Sequence, residues 1–449
     1  MSRLSRIHGG TFFAFILILV ATAATVGVVS SDNPRLSPWD EDAHIDYLVK
    51  VGRLSIPSAG DVMDEQALRI AACRGFYGPY QPAQPCDLPG PMDPAQYAFQ
   101  GDSRAWTHPP LYYVVTRAAM VPLDIVLPGA DFVTVGRIAT ALWTAVGLFL
   151  LFLVLRRLDV DPVIAWSIIA LLLPSQPVLQ RAEAISNDAT GFFAGALLLA
   201  LVVAGRGPLA LGAASAAVMM MKAQNSIAVA AAIVACLLGL SALAANRQGA
   251  FFHDSRGRRI RQAAGLVAGV VAGYAIWRIL QRLDAPSTTS GGDGGGAVSI
   301  TAPALPPPRE IVDLLFQNAQ AFSTPMREFM SYLPTFTAAP YVGYVEFVVN
   351  LVFVGAAVAG ILVLRRTHIG FPVAGAALTG VLIAPMVLTF AIGLSISVWA
   401  LWPPRYGVGV VPFLALAVVL IPRYPVARVL VPVLAAATVA AFVAALVGV

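Results

Sequence analysis

The sequence predicts an all-α integral membrane protein, and three observations carry that prediction. Of 449 residues, 58% are hydrophobic and only 12% are charged. With a mean hydropathy of +0.76, the chain has more apolar surface than a water-soluble fold of ordinary composition buries. The apolar residues gather into about 11 runs, and basic residues stand at alternate run ends, as the positive-inside bias requires of cytoplasmic loops. That pattern accounts for the formal net charge of +5, so nucleic acid is not expected as a partner. The whole chain, 1–449, reads as a single polytopic membrane domain.

Ser2 to Gly10 carries Arg3 and Arg6, and Thr11 to Ser30 is an apolar run of about the 20 residues that a bilayer requires. It is long for the apolar part of a signal peptide and lacks a convincing A-x-A site, so it is read as span 1, leaving the cytoplasm. Residues 31–131 then form a large first external loop with juxtamembrane helices. Leu111 to Leu127, its last segment, is only moderately apolar, holds Arg117 and Asp124, and is broken by Pro122. If this segment lies along the interface, the runs at about 132–155, 190–205, 225–245, 342–364 and 407–421 all exit beside basic residues. Those residues are Arg156/Arg157, Arg206, Arg247 to Arg261, Arg365/Arg366 and Arg423/Arg428. If it crosses, they all fall outside, so it is read as a juxtamembrane helix. The return runs are about 162–179, 208–221, 263–283, 371–396 and 429–447, with the N-terminus inside and the C-terminus outside. Residues 284–341 begin rich in glycine and proline and predict a mobile external loop. After Pro308 an amphipathic helix follows, with Ile311, Leu314, Leu315, Phe322, Phe329 and Met330 at helical spacing. It either caps a cleft or packs only for stability.

The densest acid cluster lies in SPWDEDAHIDYLVKVGRL, Ser37 to Leu54. A helix beginning at Asp40 would set Asp40 and His44 one turn apart on one face. Acids in a first helical turn are equally ordinary dipole chemistry. The membrane topology adds weight, because it collects Asp40, Glu41, His44, His108, Arg181, Glu183, Asp188, Lys222 and Arg405 at the outer edge of the bilayer, where converging charges are functional by default. A carboxylate to deprotonate a hydroxyl and cations to neutralise a leaving phosphate are what group transfer from a phosphate-linked donor needs. Taken singly each has a plainer reading: Arg405 and Lys222 as interfacial anchors, the former beside Trp399 and Trp402, His108 as a turn residue and Asp188 as a helix cap. If the first loop faces an oxidising compartment, Cys73 and Cys86 form a disulfide; Cys236 lies in an apolar run.

These motifs resemble a family. WDEDAHIDY looks like the acidic motif in the first external loop of GT-C glycosyltransferases, notably protein O-mannosyltransferases, where an Asp-Glu pair precedes a His. THPPLYY, Thr107 to Tyr113, is similar to the element that ends the same loop in mannosyltransferases and lipid A aminoarabinose transferases. AISND at Ala184 to Asp188, Lys222, and PPRYGVGVVP at Pro403 to Pro412 resemble related bacterial membrane proteins of that superfamily. The resemblance implies a GT-C type bundle of about 11 transmembrane helices, with Asp40 as the catalytic base, Glu41 its neighbour and the fallback for that catalytic role, Asp188 the second-loop acid and Arg405 a donor-phosphate ligand. It implies a glycosyltransferase moving a hexose or pentose from a polyprenyl-phosphate donor to a cell-wall, lipid or protein acceptor on the external face of the cell membrane. His44, His108, Arg181 and Lys222 are the further substrate-binding candidates. HPPL continues here as Tyr112-Tyr113 where mannosyltransferases have Gly-Lys, so protein mannosylation in particular is not supported. A divalent metal bridging Asp40, Glu41, His44 and His108 is compatible with those residue types, and nothing in them demands one. The competing readings are a transporter or flippase of a lipid-linked substrate, which would set broken helices or charges at mid-membrane, and a non-catalytic assembly subunit, which would have lost the acids.

Overall fold

The computed structural model describes residues 2–32, 34–38, 40–77, 84–247, 256–283, 307–322, 340–396, 404–420 and 424–447. Among these the structure is helical, its strand-like pairings being two isolated bridges, Leu36 with Phe76 and Val62 with Asp102. Trp39, the glycine-rich stretch 284–306, Phe329, Met330, Trp399, Trp402, Pro403, Arg423 and the loop 248–255 lie outside the described residues.

Among the described residues six helices are long and apolar enough to cross a bilayer: Gly10–Ser31, Phe132–Arg157, Arg256–Leu283, Tyr341–Val363, Gly370–Phe390 and Pro425–Val447. Two bent pairs bring the count to eight if each is one span: Pro162–Leu172 with Gln176–Ala182 at 64°, and Ala223–Leu237 with Leu240–Asn246 at 58°. The chain is therefore a multi-pass membrane protein with six to eight candidate spans. The three other predicted runs are also helical, Asn187–Val203, Pro208–Met221 and Arg405–Leu420, but short. At 1.5 Å per residue, the 14 residues of Pro208–Met221 cover about 21 Å of a roughly 30 Å hydrocarbon core. Both bends have local causes: Pro174 ends the first helix of its pair, and Gly239, at φ 84°, ends that of the other. Leu111–Val126 is helical and is not among the helices of crossing length.

Helices are numbered here in chain order: α1 (Ser2–Asp32), α2 (Glu41–Gly52), α3 (Glu65–Arg74), α4 (Leu111–Val126), α5 (Phe132–Arg157), α6 (Pro162–Leu172), α7 (Gln176–Ala182), α8 (Thr190–Val203), α9 (Pro208–Met221), α10 (Ser226–Leu237), α11 (Leu240–Arg247), α12 (Arg256–Leu283), α13 (Pro308–Phe322), α14 (Pro340–Val363), α15 (Gly370–Leu378), α16 (Ala384–Ile396), α17 (Val411–Leu420) and α18 (Tyr424–Val447). A π-helical turn, Thr379–Ile383, joins α15 to α16.

Two close backbone approaches place the chain segments that matter for the site. Gly265, Gly269 and Gly273 of α12, one turn apart, lie against Pro208, Gly212 and Ala216 of α9, so near that an added Cβ would meet backbone carbonyls. Without a hydrophobic drive between helices in lipid, such small-residue seams let van der Waals contact hold a pair together, and this one fixes α9, which ends at Lys222. Likewise Gly195 of α8 sits against the Gly409 carbonyl. This contact brings the 3-10 segment Pro404–Val410, with Arg405 and Tyr406, onto α8 and next to Asp188. α17 continues from that segment with all ten residues buried, as an all-round apolar helix must be. At the opposite end of the bundle Arg428 pairs with Asp161 at 2.9 Å, and Arg258 and Gln262 donate to the Gly205 and Arg206 carbonyls. Arg258 and Arg428 thus stand at the end away from the acid motif.

The region between α1 and α5 has its own core, built from Leu36, Ile45, Leu48, Met63 and Leu68 together with Tyr112 and Tyr113. The Cys73–Cys86 disulfide is present, with Cα atoms 4.5 Å apart, and Arg74 of α3 pairs with Asp131, the residue that caps α5. This small layer lies on the end of the bundle and delivers α2 to it.

Candidate functional site

α2 begins at Glu41, one residue later than the apolar spacing suggests, with Asp40 as its N-cap. Asp64, Asp131 and Asp161 all cap their helices by accepting first-turn N–H groups. Asp40 does not. Its backbone is left-handed, φ 60° and ψ 19°, and its side chain makes no cap hydrogen bond, so the usual contribution of about 1 kcal/mol from an Asp cap is forgone. Instead the carboxylate, 53% exposed, takes Arg104 Nη1 at 2.7 Å. The other guanidinium nitrogen of Arg104 reaches both oxygens of Asp42, at 3.0 and 3.1 Å. A strained non-glycine residue whose side chain is turned away from its local partner is a functional signature.

Glu41, its neighbour, is built differently. Fully buried, it accepts the backbone N–H of Ser37 at 2.6 Å and of Ile185 at 2.9 Å, and Nε and Nη2 of Arg137, both at 2.9 Å. Four donors occupy the lone-pair sites of a carboxylate. Glu41 thereby ties α2 to α5 and to the segment before Asp188, and it offers no lone pair to an acceptor hydroxyl. Arg137, also buried and inside a candidate span, was not among the sequence candidates; a charge in an apolar run of 26 residues is the signal that would have found it.

Behind Asp40 stands a column of rings. His44 stacks between His108, at 5.4 Å between centroids, and Tyr113, at 5.8 Å, and Tyr113 stacks on Tyr47 at 3.7 Å. Tyr113 Oη lies 2.6 Å from His44 Nδ1, and Ser186 Oγ lies 3.4 Å from Nε2. Burial holds the Tyr113 phenol protonated, its tendency to ionise further reduced by Tyr47, Tyr112 and Asp40. Burial also drives the His44 imidazole well below the ordinary histidine range, helped by His108, Lys222, Arg104 and Arg405. His108 falls to about 3 through burial and the charge of Lys222. Tyr113 therefore donates to Nδ1, and the neutral His44 presents Nε2–H toward Ser186.

Beyond Ser186 the cations converge. Asp188 is buried and forms ion pairs with Arg181 at 3.7 Å, with Arg405 Nε at 3.2 Å and with Lys222. The Tyr406 ring lies under both, 4.6 Å from Lys222 Nζ and 5.5 Å from the Arg405 guanidinium. Asp188 does not cap α8. Ser186 does the local capping, accepting the Asp188 N–H at 3.2 Å. Two guanidiniums and a lysine side chain converge on this one carboxylate. The cluster suits a multiply charged oxyanion such as a phosphate. The field of Asp40 reaches Lys222, where it opposes the depression caused by burial, Arg405 and Arg181, so the acid rim and the cation cluster are electrostatically coupled.

No family model, curated protein or solved structure matches the chain. The site must therefore be read from its chemistry. Of the sequence candidates, His44, His108, Arg181, Asp188, Lys222 and Arg405 come together, with Asp40 at the rim, whereas Glu41 is turned inward. Glu183 is buried, and its field acts on Tyr77. Arg104, Tyr113, Ser186 and Tyr406 belong to the site and were not foreseen as such. The metal-bridging group does not assemble: among the described residues no three His, Cys, Asp or Glu side chains are grouped to hold an ion.

Proposed function

We propose that this protein is a GT-C type glycosyltransferase that moves a sugar from a polyprenyl-phosphate donor to a hydroxyl of a cell-envelope acceptor, on the external face of the cell membrane. The observation that carries the reading is the convergence of buried Arg181 and Lys222 and partly buried Arg405 on Asp188, coupled through its field to the uncapped Asp40. In this scheme the acceptor hydroxyl attacks the anomeric carbon and gives its proton to Asp40. The bond from that carbon to the phosphate oxygen breaks, and its electron pair leaves with the phosphate. Arg405 and Lys222 hold that phosphate, supplying electrostatic stabilisation where charge develops. Arg104 orients Asp40, and His44 Nε2–H is a neutral donor between rim and cluster. The basic end of the bundle is then cytoplasmic by the positive-inside rule, and about 11 helices form the bundle, the three short ones compensated by protein contacts rather than lipid.

A second reading keeps support from one feature. The two bent helix pairs, at 64° and 58°, are of the kind transporters use to bind substrate at broken ends, and α7, beyond one break, carries Arg181. The two readings separate in proteoliposomes. Wild-type protein with a radiolabelled polyprenyl-phosphate sugar should transfer label to an acceptor fraction and bind donor, with binding weakened in Arg405→Ala. Donor moving between leaflets without any transfer would favour the transporter.

A further inference from the structure

On the side of α2 away from the cation cluster, α2 and α4 enclose a groove of about 460 Å³, walled by Val51, Ile56, Val114, Ala118 and Val121. One charged group lies in it. The Arg117 guanidinium rests against Gly52, where a Cβ would come within 2.8 Å of its Nε, and over the Phe132 ring at 5.9 Å. It meets no carboxylate among the described residues. The C-terminal end of α2 offers it only a partial negative charge.

The rim of this groove is apolar and turned outward. Leu54, held at φ 59° in a conformation that leucine rarely adopts, projects with 99% of its surface exposed. Along α4, Val114, Ala118, Val121 and Ile125 fall on one stripe and are all exposed, Ile125 by 77%. The same helix packs inward through Tyr112, Tyr113, Thr116 and Met120. A contiguous outward stripe of this kind is not left in water. Because α4 packs on α5, a candidate span, the stripe continues the surface that meets hydrocarbon.

We propose that this groove binds one glycerophospholipid with an acidic headgroup, its phosphate on Arg117 and its chain along Val114, Val121 and Leu54, docking α4 into the membrane interface. The lipid is bulk bilayer and not the sugar donor: the site lies apart from Asp188 and needs no glycosyltransferase activity. Charge and apolar wall together select it, since a zwitterionic headgroup brings its own ammonium, which offsets the attraction of its phosphate to Arg117, whereas an acidic headgroup carries no such cation.

The test uses the full chain in vesicles of phosphatidylcholine with and without phosphatidylglycerol, with native mass spectrometry of retained lipid. Wild type should retain phosphatidylglycerol preferentially. Arg117→Gln should reduce that retention about tenfold or more, the size of one lost charge-assisted hydrogen bond, and Arg117→Lys should keep most of it. A fluorophore on Val121→Cys should be quenched by spin-labelled lipid and not by aqueous iodide. The proposal is overturned by equal retention of both lipids in wild type and Arg117→Gln, by inorganic phosphate displacing the lipid, by iodide quenching, or by a Val121→Cys cross-link between two copies.

Discussion

Glu41→Gln and Asp40→Asn change adjacent acids by the same few atoms and should have opposite consequences. The Glu41 carboxylate is fully buried and accepts four hydrogen bonds of 2.6–2.9 Å, two of them from Arg137. Glutamine leaves the 2% exposed guanidinium without its counter-charge and sets an NH2 group against N–H donors. Breaking one side of a buried pair costs about 3–5 kcal/mol. Asp40 is half exposed, its ion pair with Arg104 is worth about 0–1 kcal/mol, and asparagine accepts a left-handed backbone as readily as aspartate. Glu41→Gln should therefore be less stable than Asp40→Asn by about 3 kcal/mol. Thermal unfolding of purified protein in detergent, followed with a thiol-reactive dye, measures this directly, because Cys236 is free and buried and reacts on unfolding. Glu41→Gln melting with the wild type, or Asp40→Asn melting below it, would refute the division of labour between these residues. Adding Arg137→Met to Glu41→Gln should recover only part of the loss, since the N–H groups of Ser37 and Ile185 still point at the altered side chain.

Other perturbations have equally definite outcomes. Reducing Cys73–Cys86, whose residues are 13 apart, should cost about 3 kcal/mol in the chain-entropy model, read as a lower melting temperature in reductant; an unchanged melt would contradict it. His44 and His108 are held neutral, so the unfolded chain binds protons first. The contribution of these two rings to stability should be flat above about pH 7 and fall as pH drops below the ordinary histidine value of about 6.5, by at most about 1.4 kcal/mol per pH unit for each ring. The loss for His108 should level off near its folded value of about 3. His108→Gln should flatten that slope, and an unaltered slope would show that the ring titrates normally. Gly269→Leu should force α12 off α9, where a Cβ already meets the Gly212 carbonyl. The expected result is loss of folded yield, whereas Val267→Leu, on an exposed position of the same helix, should be neutral.

The helices were legible because composition and run length depend on the residues alone: the described parts of the predicted runs are helical, with two of the runs bent, and Leu111–Val126 is not among the helices of crossing length. The bends were not, because Pro174 and Gly239 show where a helix can break and not by what angle. In the site, Asp40, His44, Asp188, Lys222 and Arg405 could be picked out as charges that a membrane edge tolerates only for cause. Their pairings could not. Arg104 is 64 residues from Asp40 and Arg137 is 96 from Glu41, and no local pattern links them. For the same reason two adjacent acids in one motif read as alike, although one is half exposed beside Arg104 and the other is buried and holds the fold together.

Sugar transfer by Asp40→Asn tests the central claim most directly. With purified protein and a radiolabelled polyprenyl-phosphate sugar that the wild type turns over, removing the base should lower transfer by a factor of about 100 to 10,000, with donor binding and melting temperature close to wild type. Near-wild-type turnover by Asp40→Asn would contradict the account.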